Sequence, residues 1–138
     1  MSKINTYKQL EQGRASFAFD RATAGFNQHG KEYAQQAKRI PMLIKTNGLG
    51  ATLAFMYSKT NQRVLLTLLQ DIESWVSDDK NKKTARIYRD TEGKSLLQKM
   101  SNMPSVHYKA VTLETQAFLS WLRRFAEGIA KEKEVNKK

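Results

Sequence analysis

Apolar side chains recur at intervals of three and four along most of this chain, and nowhere do they alternate long enough to predict a strand. The clearest run is Val64, Leu65, Leu68, Leu69, Ile72 and Val76, one continuous stripe of an amphipathic helix. Upstream, Leu10, Phe17, Phe19, Ala22 and Phe26 mark a first helix over Thr6 to Asn27. Gly30 allows a turn, and a second helix starts near Lys31. Pro41 has no N–H to donate and clashes with the preceding turn, so the helix is expected to break there. A fresh helix would then run from Pro41, where proline is harmless, to about Lys59. "SDDKNKKT", Ser77 to Thr84, reads as a loop, and a short helix around Ser95 to Asn102 precedes Pro104. The last helix is expected from Thr112, as N-cap, to about Lys131. Its core stripe would be Leu113, Ala117, Leu122, Phe125 and Ile129, flanked by Phe118 and Trp121, with residues 132–138 a frayed charged tail. The pattern predicts an all-α, compact single-domain bundle of five to six helices spanning 1–138.

Composition adds a partner class. Twenty-four Lys and Arg against thirteen Asp and Glu leave a net charge of +11, which favours a polyanion, nucleic acid before membrane. The excess avoids the middle: residues 46–77 carry two basic and two acidic side chains, whereas 1–45 carry eight and three. Residues 78–94 carry six and four, and 95–138 carry eight and four. The absence of cysteine excludes disulfides and cysteine-ligated zinc. No run approaches the 18 or more apolar residues of a membrane span, and the N-terminus lacks the apolar core of a signal peptide. The expectation is a cytoplasmic protein without membrane association.

The search for chemistry finds no catalytic constellation, metal site or cofactor motif. Gly48 and Gly50 lack the following lysine of a P-loop, and a dinucleotide fingerprint would need a third glycine where Leu53 stands. His29 and His107 stand alone, without the spacing that puts two ligands on one helix face, and no carboxylate recurs at i, i+3 or i+4 within an apolar stripe. Asp78-Asp79 reads as a solvated pair beside lysines. Trp75, Trp121, Phe118 and Phe125 sit at helical spacing and read as core.

The basic residues say more. Lys31, Lys38 and Lys45 are seven apart, as are Arg14 and Arg21, and two helical turns nearly restore direction. Each set would lie along one helix face and could neutralise successive phosphates, although a break at Pro41 would reset the phase before Lys45. Arg123 and Arg124 fall on the polar side of the last helix, where Arg123 could instead pair with Glu127 at i, i+4. Gly48 and Gly50, flanked by Thr46, Asn47 and Thr52, form a notch into which another backbone can come close. The notch is either a contact surface for a partner or a seat for the bundle's own packing.

Two blocks, "IPMLIKTNGLGATLAF" (Ile40–Phe55) and "TLETQAFLSWLRRFAEG" (Thr112–Gly128), resemble the signature blocks of the small α-helical subunit of the type III-B CRISPR effector, the Cmr complex. They cover roughly a quarter of the chain in matching order and spacing. The resemblance implies a non-catalytic protein acting in antiviral defence. Its partners would be the backbone and large subunits, further copies of itself, and guide and target RNA. It would stack in several copies beside the backbone subunits and hold RNA by charge and shape. Two other classes stay open on the residues alone: a type III-A small subunit or free-standing helical nucleic-acid binder, and a metal-independent ribonuclease using His29 or His107 with lysines.

Overall fold

The computed structural model describes residues 3–59, 61–77 and 96–136. They form six helices and, among them, no strand: α1 (Lys3–His29), α2 (Lys31–Asn47), α3 (Leu49–Ser58), α4 (Arg63–Ser77), α5 (Leu96–Met100) and α6 (Ser105–Asn136). The fold is all-α, as the apolar periodicity predicts. The loop expected over Ser77–Thr84 and the Asp78-Asp79 pair lie, apart from the end of α4, outside the described residues.

One apolar core unites the helices. Val64, Leu65, Leu68, Leu69, Ile72 and Val76 of α4 are all buried, so the clearest stripe in the sequence is the stripe in the structure. α1 contributes Ala18 and Ala22, α3 Leu49, Leu53 and Met56, and α6 Val111, Phe118, Leu119, Leu122 and Ala126. The rings of Phe17, Trp75 and Phe118 lie 5.5, 5.8 and 6.0 Å from one another, an aromatic triad joining α1, α4 and α6. α6 makes its most extensive contact with α1 and its next with α2. Arg14 pairs with Glu114 and Phe19 meets Phe125, so α1 and α6 run parallel. Pro41 is bonded from Gln116, while Lys31 shares a groove with Glu134, so α2 runs antiparallel to α6.

The chain does not break at Pro41. α2 continues through it to Asn47, carrying the buried stripe Tyr33, Ala37, Ile40 and Ile44 across the proline. Burying an isoleucine such as Ile40 or Ile44 contributes roughly 1.5–3 kcal/mol, and the stripe together outweighs the loss of about 3 kcal/mol for an interior proline. Gln116 of α6 also donates its Nε2 to the Pro41 carbonyl at 3.2 Å. The break falls at Gly48 instead, where φ is +89° and the glycine N–H closes α2 on the Ile44 carbonyl at 2.8 Å. Gly30 makes the corresponding turn between α1 and α2 at φ +67°. Both conformations are left-handed, a region that side chains with a Cβ avoid.

The last helix is corrected at both its start and its phase. It begins at Ser105, directly after Pro104, whose carbonyl accepts the Tyr108 N–H at 2.9 Å. Thr112 is therefore interior rather than an N-cap, and its Oγ1 bonds back to the Tyr108 carbonyl at 2.8 Å. Leu113 is 61% exposed, and the buried stripe instead includes Glu114 and Thr115. The expected stripe ignored Glu114 because a carboxylate is normally solvated; here a partner brings it inside. α6 also carries on to Asn136, with 131–135 all exposed, through most of the segment expected to fray.

Candidate nucleic-acid interface

Because α2 is unbroken, Lys31, Lys38 and Lys45 share one helix face, and all three are exposed. Lys31 and Lys38 of this row lie on the side of α2 that borders α6. Between the two helices lies a groove of about 240 Å3, where Lys31 and Lys38 meet Arg123 and Lys131 across a floor of Ala34 and Ala130. Two carboxylates, Glu127 and Glu134, also line it. Glu127 pairs with Lys131 at 3.4 Å, one helical turn on, rather than with Arg123. Arg123 and Arg124 are both exposed on α6, but Arg123 alone lines the groove. The groove thus joins three of the expected residues, Lys31, Lys38 and Arg123, and adds Lys131.

The arginines of α1 are placed differently. Arg14 and Arg21 do share a face, and that face is turned inward. Arg14 donates through Nε and Nη2 to the two oxygens of Glu114 at 2.7 and 2.8 Å, a bidentate pair with side chains only 14% and 7% exposed. Trp75 Nε1 donates to the same carboxylate at 2.8 Å. Arg21 lies 3.6 Å from Asp71 and above the Phe17 ring, and is half-exposed. Arg14 is thereby withdrawn from any phosphate-contacting set, and Arg21 is engaged by a core carboxylate.

Asp71 anchors a buried polar cluster. Tyr33 donates its hydroxyl to Asp71 Oδ2 at 2.8 Å, and both residues are buried. Burial pushes the Asp71 carboxyl up to about 6, against the opposing effects of the Tyr33 hydrogen bond and the Arg21 charge. The Tyr33 phenol is likewise held well above its usual range, by burial and then by the Asp71 charge. The Tyr33 ring fits because residue 25 is glycine: a Cβ there would overlap the ring. Nearby, Glu73 is pushed up by burial, which the Leu96 backbone N–H and the Lys99 charge oppose.

The two histidines are not brought together. His29 bonds Thr67 Oγ1 through Nε2 at 2.8 Å and stacks on Tyr33, whereas His107 is exposed in the first turn of α6. Since α1 and α6 are parallel, the end of one and the start of the other lie at opposite ends of the pair. Among the described residues, no group of three or more potential metal ligands gathers.

The glycine notch has an occupant from the chain itself. Tyr108 of α6 reaches over α3, its hydroxyl accepting the Gly50 N–H at 2.9 Å. A Cβ at Gly50 would stand 3.2 Å from that oxygen, and one at Gly48 3.8 Å. Of the two readings of the notch, this contact fits the seat for the bundle's own packing at Gly50. Thr46 and Asn47 remain exposed on the last turn of α2, Thr46 bonding back to the Met42 carbonyl at 2.7 Å.

Sequence reasoning missed Asp71, Glu114, Tyr33, Gly25 and Tyr108. Asp71 and Glu114 were within reach. Asp71 stands in the 64, 68, 71, 75 register and Glu114 in the 111, 114, 118, 122 register, each a lone carboxylate on an apolar stripe. Such a residue predicts a basic partner, and two arginines seven apart on α1 supply one each.

A family model described as a CRISPR-associated protein, Cas_Cmr5, matches residues 10–129. Both signature blocks fall inside that span.

Proposed function

This chain belongs to the Cas_Cmr5 family, the small subunits of the type III-B CRISPR effector complex, and from that premise we propose that it is a non-catalytic subunit that helps hold guide and target RNA. Several copies stack beside the backbone subunits, and the resulting row lines the groove in which guide and target pair. Base pairing reads the sequence, and this protein holds backbone. Its work is cytoplasmic and serves antiviral defence. No described helix is long and apolar enough to cross a membrane, which fits such a role.

The observation that carries the reading is the exposed row Lys31, Lys38 and Lys45, continuous through Pro41. Seven residues rise about 10.5 Å along a helix, so the row offers one cation for roughly every three steps of a strand rising 3.4 Å each. The separation of His29 from His107 supports the non-catalytic part of the reading.

The test is the salt dependence of target-RNA binding by the assembled complex. Changing Lys31, Lys38 and Lys45 to Gln keeps side-chain length and helix propensity. If all three meet phosphates, the slope of log affinity against log salt becomes shallower by roughly 2, about 0.7 for each single-strand contact. A control with Lys133→Gln and Lys137→Gln removes charge from the end of the chain. An equal change of slope per charge in that control would reduce the row to diffuse attraction and sink the proposal.

A further inference from the structure

On the other side of α2 from the lysine row, a second concavity of about 430 Å3 opens between α2 and α3. Its bed is apolar, made by Leu43, Ala51 and the half-buried Phe55. Arg39 and Lys59 each bring a cation to 5.4 Å from the centre of the Phe55 ring. Asn47, exposed at the end of α2, supplies an amide at the rim, and no carboxylate is among the described lining residues. These features differ from those of the α2–α6 groove, which is about half as large and lined by two glutamates. That groove can hold a strand's backbone. The α2–α3 concavity has the volume of a small-ligand site, roughly 300–1,000 Å3, together with an aromatic face, flanking cations and an amide.

From this arrangement we propose that the α2–α3 concavity is a binding site for one unpaired nucleotide of a single-stranded RNA. The inference rests on the RNA-holding reading above and adds a second, chemically distinct point of contact. Aromatic faces and guanidinium planes both accept a stacked base, whatever its identity. A base laid on Phe55 displaces the Arg39 guanidinium from the ring. Arg39 is exposed, its side-chain hydrogen bond among the described residues a 3.5 Å contact to Gln36, so it can swing onto the nucleotide's phosphate. Lys59 neutralises the same or the next phosphate, and the Asn47 amide meets the base edge as donor or acceptor. A base inside a duplex has no free face to offer, so the site distinguishes single from double strand.

The full chain is titrated at low salt with a twelve-nucleotide oligouridylate and, separately, with a twelve-base-pair RNA duplex, with affinities read by anisotropy. Phe55→Leu removes the stacking face while keeping an apolar side chain. It is expected to weaken the single strand about tenfold, the effect of one lost base–aromatic stack, and to leave the duplex unchanged. Should Phe55→Leu fail to fold, Asn47→Ala carries the same comparison from an exposed position, with a smaller loss confined to the single strand. Equal weakening of both ligands, no weakening of either, or no binding of the oligouridylate would overturn the proposal. The Lys31, Lys38 and Lys45 variant weakens both ligands if the lysine row is a site. Failure of that variant alone strikes the row and leaves the nucleotide site standing.

Discussion

Arg14 and Arg21 on α1, and Lys31, Lys38 and Lys45 on α2, are spaced alike and live in opposite surroundings. A separation of seven guarantees a shared helix face, and in both helices the structure honours it. Which way the face turns depends on what the neighbouring helices present. The α1 arginines meet Glu114 and Asp71, carboxylates set into otherwise apolar stripes of α6 and α4. The α2 lysines meet solvent and a groove of mixed charge. Basic periodicity is thus only half of a binding-site prediction. The other half is whether acids on neighbouring stripes already claim it.

The comparison can be broken most decisively by removing one charge from each set. Arg14→Met leaves Glu114 buried with, among the described residues, only the Trp75 N–H as partner, and the loss of one member of a buried pair costs about 3–5 kcal/mol. Lys38→Gln is expected to leave stability unchanged within error. Urea denaturation of the two variants decides the matter: equal stabilities would mean that Arg14 is as solvated as Lys38.

A pH series sharpens the buried side. Asp71 holds its proton up to about pH 6 in the folded protein, against an ordinary value of 3.8. Between these values the folded state retains a proton that the unfolded chain has released. Stability from this group is therefore greatest below about pH 4, falls as pH rises, and levels off above about pH 6. The fall amounts to about 3 kcal/mol, at 1.36 per pKa unit. Asp71→Asn, which can still accept the Tyr33 hydroxyl, should lack that fall, so that the fall appears in the difference between the two stability curves. If the two curves stay parallel from pH 4 to 7, Asp71 does not titrate as its burial requires.

A smaller effect is expected one layer out. Gly25→Ala places a methyl group against the Tyr33 ring that holds Asp71, and overpacking of this kind costs about 2 kcal/mol. A crystal structure or the Tyr33 ring resonances would show the ring displaced. An unshifted ring with full stability would mean that α1 and α2 stand further apart than described.

These contrasts also explain what the sequence could and could not disclose. The α4 stripe was legible because every member is apolar and the period is unbroken. The two family blocks were legible as blocks. The α2–α3 boundary was misplaced because Pro41 is the stronger local breaker, and only tertiary burial of Tyr33, Ala37, Ile40 and Ile44 overrides it. The phase of α6 slipped because Leu113 was preferred to Glu114 on polarity alone. Spacing places Lys31 and Lys38 on one face of α2, but the groove they share with Arg123 follows only from the packing of α2 on α6. Tyr108 could not be foreseen at Gly50, since nothing local links positions 58 residues apart. No sequence pattern marks the Phe55 concavity, because Arg39 and Lys59 straddle a helix boundary and follow no single period.

The parallel seating of α1 against α6 has a bearing on how the chain is made. The most extensive contact in the molecule joins segments about a hundred residues apart, as Arg14 and Glu114 are. A helical protein built from neighbouring hairpins can mature as it emerges from the ribosome, one hairpin at a time. Here α1 waits for α6 to be translated, roughly 5–20 seconds at 5–20 residues per second. Until then Arg14 stands without the Glu114 carboxylate that pairs with it. Long-range closure of this kind slows folding relative to local helical bundles. The nascent chain is thus a basic, half-formed bundle.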